Sequence, residues 1–227
     1  MDTIKCLLVG DDGVGKASLM MTYSENSFLE KGKLPQSYRD IYINVGYMNE
    51  KQIPLHLCNI LDGQQHEQVN ILRYQKTSII ILCFSLVSPD TLKSIQERWI
   101  RQINNICPNI PKLVVGTKLD VRNLYQEQQR IANHKLSHIS SHDNHTNSHD
   151  CDDDDIHATL GNGKNHVDVN YITTEVGKSI ADEIGAVDYV ECSSYNGEGR
   201  YQVFDQAIKI VMKNKKKTID SRKCILM

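Results

Sequence analysis

The sequence predicts an α/β protein: a mostly parallel six-stranded sheet with helices on both faces and one antiparallel edge strand. Three observations carry this expectation. Apolar runs of strand length alternate with amphipathic helical segments, the pattern of successive βα units. Two further alternating runs are separated only by the polar turn MNEKQ, which suits a hairpin better than a crossover. A GxxxxGK loop lies between the first apolar run and the first helical segment.

In chain order, the first strand is expected at 4–9 and the first helix at 16–23, with the loop between them. The runs at 40–47 and 53–60 form the hairpin. SIIILCFSLV, at 78–87, is too short to span a bilayer and reads as a buried strand. A helix at 89–106, a strand at 112–116, a helix at 173–184, a strand at 187–192 and a last helix at 201–212 complete the pattern.

A chain of 227 residues, 40% hydrophobic, can bury one domain of about 180 residues plus extras. The formal net charge of −2 gives no reason to expect nucleic acid as a partner. Seven cysteines without CxxC pairs, behind an amino terminus lacking a signal-peptide pattern, point to a reducing cytosol. The expected domain, 1–212, is interrupted at about 134–166 by a segment rich in Ser, His, Asn and Asp. Seven of the nine histidines fall there, beside six aspartates and Cys151, so a loose metal site is one reading. Disorder is the favoured one, because the ligands lack a fixed helical or CxxC spacing and ordering such a loop costs about 1–2 kcal/mol per residue.

Gly10 to Lys16, GDDGVGK, is a phosphate-binding pattern in the right context. Glycines let backbone N–H groups converge on phosphate oxygens, the helix amino terminus adds partial positive charge, and Lys16 reaches the outer phosphates. Further along, VVGTKLD (114–120) ends a strand on Lys118 and Asp120. A carboxylate there can accept two hydrogen bonds from adjacent N–H donors of guanine, a pair that adenine lacks.

On these two motifs, and on LCFSLVSPDTL (82–92), CPNIPKLVVGTKLDVR (107–122), EIGAVDYVECSS (183–194), VFDQAI (203–208) and the terminal CILM, the chain resembles the Rho/Rac family of small GTPases. The likeness covers about 1–130 and 170–227 and leaves the polar insertion unmatched. It implies the P-loop NTPase fold and a GTP/GDP site with Gly10, Gly13, Val14, Gly15 and Lys16 at the phosphates. Asp120 would meet the guanine, Lys118 and Phe28 would pack on ring and ribose, and Thr117 replaces a commoner Asn. Ser193 and Ser194 match the last base-contacting loop. Effectors and regulators are implied as partners, with 36–40 (Gln36, Ser37, Tyr38, Arg39, Asp40) as the effector region.

The chemistry end departs from that family. Ala17 stands where a Thr or Ser hydroxyl would bind Mg²⁺, and a methyl group cannot coordinate a hard cation. Ser18 points about 100° away on a helix. Asp12 replaces the glycine facing the γ-phosphate, where its charge opposes phosphate by up to about 4 kcal/mol at an effective dielectric of 20. Gln36, with Ser37 beside it, replaces the threonine that senses γ-phosphate, and Asn59 replaces a metal-holding aspartate in NILDGQQ. With one inserted residue Gln64 is the water-orienting catalytic glutamine; ungapped, Gly63 takes its place. The expectation is a nucleotide-holding switch with weakened Mg²⁺ dependence and slow or absent hydrolysis.

Residues 213–227 form a basic tail ending in Cys224-Ile-Leu-Met, a C-a-a-X pattern for prenylation and methylation. Terminal Met favours farnesyl, while the resemblance favours geranylgeranyl. One chain anchors marginally, so the basic residues at 213, 215, 216, 217, 222 and 223 supply a second signal worth about 1 kcal/mol each at an anionic leaflet. The expected place is the cytosolic face of a cell membrane, with a cytosolic pool. Two rivals remain: a non-catalytic scaffold that keeps the fold without exchanging nucleotide, and a small P-loop kinase, which predicts neither TKLD nor a prenylation box.

Overall fold

The computed structural model describes residues 3–25, 40–48, 51–60, 67–140 and 171–225. The chain divides into two compact units, one of 1–122 with 170–227 and one of 123–169.

The main unit is built on six strands: β1 (Ile4–Val9), β2 (Asp40–Met48), β3 (Lys51–Asn59), β4 (Ile79–Ser85), β5 (Lys112–Thr117) and β6 (Asp188–Glu191). Their order is β2-β3-β1-β4-β5-β6. Only β2, the edge strand, runs antiparallel to its neighbour. Strand order therefore reverses direction at β1, which has β3 on one side and β4 on the other, and that reversal opens a crevice at its carboxyl end.

Both faces of the sheet are covered. Ile4, Cys6 and Leu8 of β1 and Ile79, Ile81 and Cys83 of β4 pack against α1 (Lys16–Glu25) and α7 (Arg200–Ile225), through Leu19, Met20, Phe204 and Ile208. On the other face, Leu7, Val9, Ile80, Leu82 and Phe84 meet a helical rod of α3 (Pro89–Ser94), a π-helical turn (Ile95–Trp99) and α4 (Ile100–Ile106). Ala181 of α6 (Thr174–Glu183) joins the same cluster. Burial on both sides is why these strands read as continuous apolar runs rather than alternating ones. Cys6, Cys58, Cys83, Cys107 and Cys192 are free thiols, and burial alone pushes Cys6 up to about 12.

The strands and hairpin fall where they were expected, and two helices stand where none was. α2 (Glu67–Tyr74) and α5 (Leu119–Ser140) hide their periodicity because each leaves large apolar groups outside: Ile71 and Leu72 on α2, Leu124 and Ile131 on α5. Residues 134–140, the start of the polar insertion, continue α5; the rest of it, 141–166, lies outside the described residues. The last helix likewise passes residue 212 and ends at Ile225, through a lysine-rich stretch without Gly or Pro. Among the described residues, no helix is long and apolar enough to cross a membrane.

Candidate functional site

The crevice at the end of β1 is lined by the loop that the sequence marks for phosphate. Gly10 turns the chain at φ 149°, and a Cβ there would lie 2.1 Å from the Cys83 carbonyl oxygen, so no other residue fits beside β4. Gly15, at φ 107°, makes the last bend, and its carbonyl accepts from Leu19 N at 2.9 Å to start α1. The first turn of that helix aims its amides back into the loop. Lys16 is 4% exposed and folds back over the loop: its Nζ donates to the carbonyls of Gly10 at 2.6 Å and Asp11 at 2.7 Å. Val14 is buried, and Gly13 is exposed at the loop tip.

Asp12 does less harm than its position suggested. Its side chain is 79% exposed and lies 4.0 Å from Lys16 Nζ, so water and the ammonium screen it, and its repulsion of a phosphate falls to surface-pair size. Its neighbour Asp11 has a role that sequence reading did not assign. Its carboxylate accepts from Trp99 Nε1 at 2.7 Å, with the Arg98 guanidinium 3.9 Å away and stacked over the indole at 4.4 Å. The π-helical turn thus ends on a side chain that braces the loop from the far face of the sheet.

Thr117, at the end of β5, locks the loop to the rest of the crevice. Its hydroxyl lies 2.5 Å from the Val14 carbonyl and 2.8 Å from that of Phe84, sharing one proton between them. Lys118 follows at φ 60°, an uncommon conformation for a residue with a side chain, and it points the chain into α5. Asp120 sits half-buried in the first turn, where its Oδ1 accepts from Ser193 Oγ at 2.6 Å. Ser193 is fully buried, and its Oγ also accepts from Tyr195 N and Asn196 N at 3.1 and 3.2 Å. That hydroxyl has one proton and two lone pairs, all used, so it orients Asp120 and the loop around it rather than a ligand. Each carboxylate oxygen has two acceptor sites, and Asp120 retains capacity for two N–H donors. Ser194 is half-buried beside it.

Of the positions where magnesium donors were expected, 17 and 59 are among the described residues. Ala17 offers a methyl group, half-buried, and Ser18 follows it on α1. Asn59, at the end of β3, is 8% exposed, and its Oδ1 has no hydrogen-bond partner among the described residues. A neutral amide oxygen is a poor replacement for the carboxylate and hydroxyl that a small divalent cation prefers. Phe28, Gln36, Ser37, Tyr38, Arg39 and Gln64 lie outside the described residues, and of Cys224 only the backbone, in α7, is described.

Asp40, the one described member of the expected effector region, is engaged internally. It lies 3.2 Å from Arg73 Nη2 and 3.1 Å from His56 Nε2. Burial pushes its carboxyl up, but a hydrogen bond from Cys58 and the charges of Arg73 and His56 outweigh that and hold it below the ordinary value. Asp40, His56 and Cys58 bring ligand atoms within 4.8 Å of one another. Arg73 already supplies the positive charge, donating to Cys58 Sγ at 3.2 Å and to the Asn59 carbonyl at 2.7 Å, and burial pushes the Cys58 thiol up to about 12. The cluster is a neutralised carboxylate, and a metal ion would have to displace the guanidinium.

Residues 5–213 match the family model described as Ras family.

Proposed function

Because this chain belongs to the Ras family of small GTPases, and so has the domain of a GTP-binding switch, we propose that it is a Rho-type member with weak Mg²⁺ dependence and slow hydrolysis. The contrast within the crevice carries this reading. Its base end has a connected bonding pattern in Thr117, Asp120 and Ser193, while the metal end has the methyl group of Ala17 and an Asn59 Oδ1 without a partner among the described residues. A nucleotide held by its base, its diphosphate and Lys16 would depend little on a cation, and the ungapped register, with Gly63 rather than Gln64 at the water-orienting position, would slow hydrolysis by orders of magnitude. The segments shared with the Rho/Rac family support the subfamily, and partners would be effectors and regulators of that class.

The tail supports an anchor on the cytosolic face of a membrane. Prenylated Cys224 and the basic residues between 213 and 223 give the two signals that stable, reversible attachment needs.

The experiment is the identity and occupancy of nucleotide carried by the purified protein, measured with Mg²⁺ and after chelation. Stoichiometric guanine nucleotide retained under both conditions is expected. Loss on chelation would remove the weak-metal reading, and an empty protein that takes up neither GDP nor GTP would make the chain a scaffold.

A further inference from the structure

We propose that Arg122 and Glu191 are positioning residues for guanine selection, a buried fork that holds the TKLD and ECSS segments at the spacing where Asp120 meets Ser193. This rests on the reading of the crevice as a guanine nucleotide site. The two side chains are far apart in sequence and meet face to face: Arg122 Nη1 donates to Glu191 Oε1 at 2.7 Å and Nη2 to Oε2 at 2.6 Å. Their side chains are 7% and 13% exposed. Arg122 lies two residues after Asp120, and Glu191 two residues before Ser193.

Both ends of the fork are rigidly joined to the groups they would place. Arg122 N and Val121 N donate to the Lys118 carbonyl, so Arg122 and Asp120 share one tight turn. Glu191 stands opposite Gly116 in the β5–β6 ladder, and the next residue closes it, with Cys192 N donating to Gly116 at 2.8 Å and Leu119 N to the Cys192 carbonyl at 3.1 Å. A sideways shift of either segment would stretch the 2.6 Å Ser193–Asp120 bond and turn the carboxylate away from the base.

The same guanidinium ties in the returning chain. The main unit is left after Arg122 and rejoined at Asn170, and Arg122 Nη1 reaches the Ile172 carbonyl at 3.3 Å and Thr174 Oγ1 at 3.4 Å. Tyr189 Oη donates to Glu191 Oε1 at 2.8 Å from below. Stability is a weak explanation for so buried a pair, since apolar residues of similar volume often serve a core equally well, and Arg122 Nε has no partner among the described residues. Bidentate geometry is what the fork adds.

The test compares GDP with inosine diphosphate, which has the same phosphates and ribose but lacks the 2-amino group that Asp120 would hold. Titrations use the full chain, Glu191→Gln, and the double variant Arg122→Met with Glu191→Gln, which leaves no unpaired charge and keeps an acceptor for Tyr189. The parent should prefer GDP by about tenfold or more, the value of one hydrogen bond to a charged acceptor. In folded variants, checked by circular dichroism and melting, GDP affinity should fall by about tenfold while inosine diphosphate affinity changes less, so that the preference shrinks. Folded variants with the parental preference, or an equal loss for both nucleotides, would overturn the proposal. Failure of every variant to fold would do the same by assigning the pair a structural role. A parent that binds neither nucleotide would instead remove the guanine reading, and this inference with it.

Discussion

The two ends of one crevice are built to different standards. At the base end, the residues that place Asp120 are tied by hydrogen bonds: Thr117 to the loop, Ser193 to the carboxylate, Arg122 to Glu191. At the metal end, Ala17 has no side-chain oxygen and Asn59 Oδ1 is buried without a partner among the described residues. Selectivity for a base needs directed acceptors held still, whereas grip on a diphosphate needs only converging amides and an ammonium. A chain can therefore retain recognition after the donors that chemistry uses have changed.

The sharpest way to break this contrast is Asp120→Ala. GDP affinity should fall at least about a hundredfold, and GDP should lose its advantage over ADP, as titration calorimetry would register. A small loss there would mean that the base end is not where selection happens.

Thr117→Val should act next most strongly. It keeps the shape but leaves the buried Val14 and Phe84 carbonyls without their shared donor, costing about 1–3 kcal/mol in denaturant unfolding. GDP release should also quicken, because the loop loses its tie to β5. Unchanged stability and release would show the tether to be incidental.

The smallest effect sharpens the other side. Ala17→Thr combined with Asn59→Asp restores a hydroxyl and a carboxylate, so added Mg²⁺ should slow GDP release about tenfold in the double variant and little in the parent. Equal sensitivity to chelator in both proteins would count against the role given to Ala17.

Much of the fold was legible because β1, β4 and β5 are buried on both faces and flanked by a loop whose glycines and lysine have few other uses. The hairpin was legible from its short turn. α2 and α5 were not, since their exposed Leu72 and Leu124 contradict the rule that apolar residues mark the buried face. Within the crevice, Lys16 and Asp120 were picked out by their motifs, and Thr117 by the resemblance alone. The partners that hold them did not: Trp99 is a bulky core residue in sequence, and Arg122 and Glu191 are ordinary charges 69 positions apart.

Local order in the chain therefore determined the strands, the phosphate loop and the place of Asp120 after β5, because each is written in spacings of a few residues. Tertiary structure alone decided that Asp11 is braced by Trp99, that Asp12 faces water, that Ser193 serves Asp120, and that Arg122 closes on Glu191. Those contacts, apart from the exposure of Asp12, join residues far apart in sequence, and only the pairing of neighbouring strands and the packing of helices on the sheet bring their donors and acceptors within bonding distance.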